Sequence, residues 1–439
     1  MYKIFFVTIL FYLTFSKAVC ANAHSLKIVA SEILENSNAI LSDDYQLKSK
    51  EYESQIASNY WLPTLYLDGN LYRTNDPTQN FIGNLYQRAV KPNDLSVPNL
   101  NSSQTNNFLK SAIGLNLNLY QGNSSEQNIL YQNNLVNAKN FEAKQNKINQ
   151  YFEVAKAYTA IVLLAQHQKK LQKISNKINE ILKSYNLNNP KNQIGYSGFL
   201  ILKTSHNLVA NTLNANQNKE KMLYKILFEL GYNHQDWGVI DADLNFYLTN
   251  FFKIKNNNNE QSFEASSLKS KANAQINYKK IRDAKNLPTL DFYAENYTFK
   301  GVRNINNGYN LGLNLHWNFY DPINYHNEKI ENANSTALNF AYLNKIQQEK
   351  IYIAQNQSQI AILENSLKNL EINDQMLFQN IKITQELYRT GSVSVSVLCD
   401  VIINYLSNFT EYTNSQFKLI ELYSNIGTKI QFNPDEFIK

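Results

Sequence analysis

The sequence predicts a mixed α and β fold in which four β-strands per protomer are continued by long antiparallel coiled-coil helical hairpins. Three observations support this prediction. A unit of helix, strand, loop, strand and long helix occurs twice, the strand segments alternate strictly, and the helical segments run far without Pro or Gly. With only 13 Gly and 8 Pro in 439 residues, the chain contains few helix breakers.

The repeat is anchored by a short motif. Leu-Pro-Thr-Leu occurs at 62–65 and again, about 225 residues later, at 287–290. Each copy closes a polar helical run that contains Leu-Lys-Ser-Lys, at 47–50 and at 268–271. The second copy has four more residues between the two motifs, which is about one helical turn. Such a length change leaves the buried face of a helix intact, so we interpret the pair as a duplicated structural unit.

The strands are predicted at 62–73, 108–120, 287–299 and 309–320, where aliphatic and polar residues alternate. Alternation alone leaves two structures open: tilted membrane strands, or a soluble antiparallel sheet with one wet face. A long polar loop at 74–107 and a shorter one at 300–308 lie on one side of the strands. This asymmetry favours membrane strands. Four strands cannot close a barrel, whereas a trimer would supply twelve.

Two helical hairpins are predicted, at 123–231 and 324–430. The first long segment, 123–187, contains no Pro or Gly and would extend nearly 100 Å as a helix, at about 1.5 Å per residue. Apolar residues recur at spacings of three and four along both hairpins, which indicates a coiled-coil seam. The seam of the second hairpin includes Ile360, Leu363, Leu367, Leu370, Asp374, Leu377, Ile381, Leu398, Ile402, Tyr405, Phe409, Gln416 and Leu419.

The predicted domain organisation follows the repeat. Residues 1–23 have the charge, apolar run and small-residue cleavage site of an export signal, so we expect removal after Ala23. Lipid attachment at Cys20 is a less favoured alternative, because Lys17 and Val19 fit it poorly. The first repeat is 24–231 and the second 263–430. A linker at 232–262 and a tail at 431–439 complete the chain.

The sequence gives little support for covalent chemistry or nucleic-acid binding. The net charge of +6 is spread along the chain without a dense basic stripe. The six His residues form no ligand-spaced cluster with Cys or carboxylates, and no phosphate-binding Gly-Lys-Ser/Thr loop is present. We therefore predict no cofactor, no metal and no enzymatic activity.

In the order and spacing of these features, the chain after residue 23 resembles the TolC-like outer-membrane efflux proteins. The resemblance rests on the duplicated unit, on the strand-to-helix passages at 120–122 and 320–322, and on the stretch 388–400. The family implies a homotrimer with a twelve-stranded β-barrel in the outer-membrane lipid of a Gram-negative bacterium. A helical tunnel would continue it into the periplasm.

The resemblance also implies partners. In the family, a periplasmic adaptor connects the tunnel to an inner-membrane pump of the ABC, RND or MFS type, and the duct itself is passive. Drug efflux and type I protein secretion remain equally open for this chain. The competing hypothesis is a non-channel periplasmic coiled-coil scaffold with a soluble sheet.

Site residues follow from the same resemblance. Tyr388 and Gly391 match the family's inner hairpin turn, and Asp400 matches one of two acidic positions at the periplasmic constriction. The other acidic position is Val397 here. Val393 stands where the family often has an Arg, so the polar contact that this Arg makes at the closed tip is absent or rebuilt in this chain. Plain packing of Tyr388 and ordinary solvation of Asp400 remain open alternatives.

Four further residues mark the strand–helix junctions. Pro63 and Pro288 lie in the repeated motif, where each helix is expected to enter the barrel. Tyr120 and Tyr320 end the predicted second and fourth strands. As aromatic residues they are candidates for an interfacial girdle, with simple sheet packing as the alternative.

Overall fold

The computed structural model describes residues 23–185, 193–234, 237–252, 261–431 and 433–438. The predicted export signal lies outside the described residues except for Ala23, and so does Cys20. Residues 188–190, which follow the first long segment of the predicted first hairpin, also lie outside them.

The chain forms long helices joined to short strands. The helices are α1 (Leu26–Asn36), α2 (Asn38–Ser58), α3 (Pro77–Tyr86), α4 (Val97–Asn101), α5 (Ser124–Ser184), α6 (Gln193–Glu229), α7 (Leu244–Phe251), α8 (Phe263–Asp283), α9 (Pro322–Arg389), α10 (Val395–Gly427) and α11 (Asp435–Ile438). The strands are β1 (Ala23–His24), β2 (Thr64–Thr74), β3 (Asn106–Gln121), β4 (Gly238–Val239), β5 (Thr289–Lys300) and β6 (Ile305–His316).

Within the described residues, β2, β3, β5 and β6 form one antiparallel sheet in that order. The sheet joins the two repeats, because β3 of the first pairs with β5 of the second. The last strand differs most from its predicted bounds. It ends at His316, four residues before Tyr320, and the strand begins earlier, at Ile305. A bulge interrupts the β3–β5 pairing between Asn118 and Tyr120.

The repeated motif and the tyrosine that follows it are two residues further apart in the second hairpin than in the first. Tyr66 lies three residues after Pro63 and pairs with Gly114. Tyr293 lies five residues after Pro288 and pairs with Gly312. Because two residues preserve the facing of a strand, the second hairpin keeps the same Tyr–Gly pairing on the same face despite this difference in spacing.

The three segments predicted as a loop, a linker and a tail all contain helices. The loop at 74–107 holds α3, α4 and a 3₁₀ turn at Pro92–Leu95. Asp76 caps α3 by accepting hydrogen bonds from the Thr78 and Gln79 amides, and proline occupies the first helical turn. The linker at 232–262 contains α7 and β4, which pairs in parallel with β1. The tail contains α11.

The chain divides into two compact units that do not follow the repeat boundaries. One comprises the described residues within Met1–Leu41, Gln145–Glu260 and Glu349–Lys439. The other comprises Ser42–Lys144 and the described residues within Gln261–Gln348. Each repeat therefore contributes its strands to the second unit and most of its hairpin to the first. The first is called the helical unit below, and the second the sheet unit.

The core of the helical unit lies along the predicted coiled-coil seam. Ile381 of α9 and Tyr405 of α10 are almost completely buried in it, and the Tyr405 and Phe409 rings stack with their centroids 5.8 Å apart. The cluster further includes Leu171, Ile174, Ile178, Ile181, Leu202, Val209, Leu213, Val395, Leu398, Cys399, Ile402 and Leu406. Each fully buried Leu, Ile or Phe contributes about 1.5–3 kcal/mol, so this seam holds α5, α6, α9 and α10 together.

Candidate functional site

The register of the sheet collects aliphatic side chains on one side, which we call the aliphatic face. Leu67 pairs with Ile113, and Phe292 pairs with Leu313. The face further includes Leu65, Leu71, Leu109, Leu115, Leu117, Leu290, Ala294, Leu311 and Leu315. Leu67 is 82% exposed and Leu313 64% exposed. An apolar surface of this extent, left uncovered by the residues that the structure describes, marks an interaction surface.

The opposite side, the polar face, combines polar residues with tyrosine rings packed over glycines. A Cβ at Gly114 would overlap the Tyr66 ring, and one at Gly308 would overlap the ring of its partner Tyr297. Glycine is required at these positions because the ring of the facing tyrosine occupies the space. Asp68, Asn70, Asn116, Asp291, Asn310 and Asn314 also lie on this face.

Glu295 is the centre of a hydrogen-bond group on the polar face. Its carboxylate accepts from the Tyr66 hydroxyl at 3.2 Å, the Lys110 ammonium at 3.4 Å and the Asn310 amide at 3.3 Å. These partners come from β2, β3 and β6, so one carboxylate links all four strands. Sequence alternation placed Glu295 on this face but could not identify its partners.

The predicted junction residues lie next to the strands. Pro63 and Pro288 directly precede β2 and β5, and Tyr120 is the penultimate residue of β3. Gly122, which follows, has φ +61°, and a Cβ there would lie 2.7 Å from the Ala284 carbonyl oxygen. Both its conformation and this close approach therefore require glycine.

Tyr320 lies outside the sheet, between β6 and α9, and is 79% exposed. It therefore does not end a strand as Tyr120 does.

At the turn between α9 and α10, Gly391 is a helix C-cap. Its φ is +75°, its amide donates to the Tyr388 carbonyl at 3.0 Å, and the Ser392 amide donates to the Leu387 carbonyl at 2.8 Å. This is the Schellman arrangement, which needs a residue that adopts positive φ at low cost. The sequence predicted a turn here, and the cap explains why glycine makes it.

Tyr388 and Asp400 have different environments. Tyr388 is half-buried against the core of the helical unit, and this burial raises the pKa of its hydroxyl. Asp400 lies on the exposed side of α10 together with Val397, Asn404 and Ser407. No hydrogen bond or ion pair among the described residues joins Tyr388 to Asp400. In a single chain, Tyr388 therefore serves packing and Asp400 remains open to solvent.

A buried polar layer interrupts the seam of the helical unit. His167 of α5, 3% exposed, faces Gln416 of α10, with 2.9 Å between His167 Nε2 and Gln416 Oε1. The Lys170 ammonium donates to the buried carboxylate of Asp374 on α9 at 3.0 Å. Neither His167 Nδ1 nor Asp374 Oδ1 has a hydrogen-bond partner among the described residues. Burial lowers the pKa of His167 to about 4.

No group of three or more His, Cys, Asp or Glu residues in the described part of the chain could hold a metal ion. Among the same residues, no helix is sufficiently long and apolar to span a membrane.

Comparison with known proteins gives structural matches only. No protein-family model and no curated protein matches the sequence. Solved structures match over nearly the whole length. The Campylobacter jejuni CmeC outer membrane channel is 14% identical with a TM-score of 0.75, covering 94% of this chain and 89% of that one.

Two further solved structures also match nearly the whole chain at low sequence identity. CusC, described as forming a transmembrane channel, is 10% identical with a TM-score of 0.76, covering 94% of this chain and 93% of its own. The outer membrane protein VceC of Vibrio cholerae is 13% identical with a TM-score of 0.70, covering 93% and 97%. The chain has the fold of the outer-membrane channels. The TolC-like fold predicted from the sequence is thereby confirmed.

The buried polar layer predicts a pH-dependent stability. The pKa of His167 is lowered from 6.5 to about 4 on folding, so the unfolded chain binds more protons between these values. The free energy of unfolding should therefore fall as the pH drops from about 6.5 towards 4, by up to about 3 kcal/mol, and level off below. Thermal unfolding in detergent, followed by helix circular dichroism, measures this.

The variant His167→Gln should abolish that part of the pH dependence, while His206→Gln on α6 is the matched control and should retain it. An unchanged pH profile in His167→Gln would contradict the assignment.

Proposed function

We propose that the chain is one protomer of a homotrimeric channel in the outer membrane of a Gram-negative bacterium, extending into the periplasm. The aliphatic face is the observation that supports this most directly. Leaving its side chains in water forfeits about 1.5–3 kcal/mol for each Leu or Ile, on the order of 10 kcal/mol for the six leucines of β2 and β6. Contact with lipid removes this cost, and the polar face then lines a water-filled lumen.

The strand number supports a trimer. One protomer supplies four strands with two free edges, β2 and β6, and such a sheet is too narrow to close on itself. Three copies would give twelve strands and pair every edge. The barrel in this proposal is therefore shared, and each protomer forms one third of it.

An apolar stripe on α9 supports association along the helices as well. On the exposed side of the helix, its members fall within about 80° of one another at about 100° per residue. They are Ile351, Ile362, Ile372, Met376, Ile383 and Leu387, all at least 41% exposed. A second copy of the chain would cover this stripe and remove it from water.

In this proposal the duct is passive and performs no covalent chemistry. A periplasmic adaptor and an inner-membrane pump of the ABC, RND or MFS type would supply cargo and energy. The adaptor would contact the hairpin ends, within 185–200 and 388–400. Multidrug efflux and type I secretion use the same kind of duct, and co-purification of the cross-linked pump distinguishes them.

The lipid-facing assignment predicts opposite outcomes for adjacent residues of β6. Leu313→Arg would place a charge in lipid, at a cost of about 2–4 kcal/mol near the bilayer midplane, and should strongly reduce trimer recovered from the outer-membrane fraction. Asn314→Arg, the matched control, places the same charge on the polar face opposite Asp291 and should assemble normally. Fractionation and heat-modifiable electrophoretic mobility measure both.

Equal assembly of the two variants, or recovery of the unsubstituted chain as a soluble periplasmic species, would favour the coiled-coil scaffold instead.

We also propose that Asp400 charges the periplasmic entrance, with Tyr388 and Gly391 shaping the turn that presents it. Its exposure in the single chain supports this role, because three copies around an axis would form a ring of carboxylates that attracts cations. Asp400→Ala should lower cation conductance in planar bilayers and weaken block by multivalent cations. Glu411→Ala, at another exposed carboxylate of α10, is the control. Unchanged conductance and unchanged block in Asp400→Ala would contradict the role.

A further inference from the structure

The segment 75–105 between β2 and β3, called the lid below, is a folded element with its two ends held together. Asn80 is 4% exposed, and its side-chain amide donates to the carbonyls of Asp76 and Gln104, each at 3.0 Å. The Asn106 side chain in turn donates to the Asn80 side-chain oxygen at 2.8 Å. One buried amide therefore bridges the start and the end of the lid, as a compact closed loop requires.

The lid packs on the polar face at the loop end of the strands. Phe108 and Phe299 are both on that face by strand alternation, and both are at most 2% exposed. Tyr86 of the lid stacks on Phe299 with 5.1 Å between ring centroids and meets Tyr297 edge-on at 5.8 Å. Gly83 lies so close to the Phe108 ring that a Cβ there would overlap it. The lid therefore covers the polar face at the loop end of the strands and leaves the aliphatic face open.

A buried glutamine fastens the lid to the turn between β5 and β6. Gln87 is completely buried, and its side-chain oxygen accepts hydrogen bonds from the backbone amides of Arg303 and Asn304, both at 2.9 Å. A Cβ at Gly301 would overlap the Gln87 amide group, so a larger residue there would displace the side chain that holds the turn. Without Gln87, two backbone amides of the turn would lose their hydrogen-bond partner, which destabilises any amide that stays buried.

An ion pair adds a second fastening. The Arg303 guanidinium donates through both terminal nitrogens to the Asp94 carboxylate, with 2.7 Å between Nη2 and Oδ1. The Asp94 side chain is only 9% exposed, and it also accepts from the Lys91 amide at 2.7 Å. Hydrogen bonding to Arg303 lowers the pKa of Asp94 to about 2. The paired geometry thus persists at any pH at which outer-membrane proteins normally operate.

We infer that the lid narrows the outer mouth of the duct and restricts the entry of large molecules from outside, and that Gln87 and the Arg303–Asp94 pair hold it closed. This inference rests on the proposed function, in which the polar face lines the lumen. The exposed side of the lid carries Leu85, Leu95 and Val97, each at least 51% exposed.

The test measures access from outside to a cysteine on the polar face. Intact cells carry Asn314→Cys in the otherwise unchanged chain, or in combination with Asp94→Asn or with Gln87→Ala. Each receives either a small water-soluble maleimide or the same maleimide on a long polyethylene glycol chain. The small reagent should label Asn314→Cys in all three, and Leu313→Cys, the matched control on the aliphatic face, should stay unlabelled. Labelling by the small reagent also normalises the amount of folded protein.

The long reagent should label Asn314→Cys slowly with the lid intact and faster in both lid variants. Gln79→Ala, at an exposed position of α3, should leave the slow rate unchanged. Equal rates of labelling by the long reagent with and without the lid substitutions would overturn the inference that the lid restricts the entry of large molecules. If the small reagent labels Asn314→Cys in none of the three proteins, the proposal that the polar face lines the lumen is wrong. The failure of the lid and the failure of the proposed function are therefore distinguishable.

Discussion

The register of four strands is the constraint on which the other features depend. Because side chains alternate along a strand, a slip of one residue would exchange the two faces of the sheet. The register is held by the tyrosines that pack over glycines on neighbouring strands and by Glu295, which links partners from three other strands. The same pairing brings the aliphatic side chains together into one continuous surface. The proposed lipid contact, the proposed polar lumen and the position of the lid all depend on this register.

The helical unit depends on a different constraint, the register of its long helices. Helices that pack only through apolar residues can slide along one another. The polar layer of His167, Gln416, Lys170 and Asp374 opposes this, since each buried polar group has its partner at only one register. Within the described part of the chain, His167 Nδ1 and Asp374 Oδ1 have no hydrogen-bond partner, which makes the layer costly. The polar layer therefore fixes the register of the helices, and it does so by lowering the stability of the fold.

Periodicity predicted the long helices, the strand alternation and the seam, because these patterns are local and repeat many times. Asp374 and Gln416 stood at seam positions in the sequence, and a polar residue in an apolar seam was the available signal for the buried layer. The lid could not be predicted, because Gln87, Asp94 and Arg303 are far apart in sequence and their contacts depend on tertiary packing. Residues 74–107 are rich in loop-forming types, which concealed α3 and α4. The role proposed for Asp400 depends on neighbouring copies of the chain, so the sequence of one chain could not predict its geometry.

The most direct test of the lipid-facing sheet is a nitroxide scan of β6, one residue at a time, in protein reconstituted into lipid vesicles. Relaxation by oxygen reports contact with lipid, and relaxation by a water-soluble nickel complex reports contact with water. The account predicts strict alternation: oxygen contact at Leu311, Leu313 and Leu315, nickel contact at Asn310 and Asn314. Nickel contact at every position, or protection of the leucines from both reagents, would contradict it.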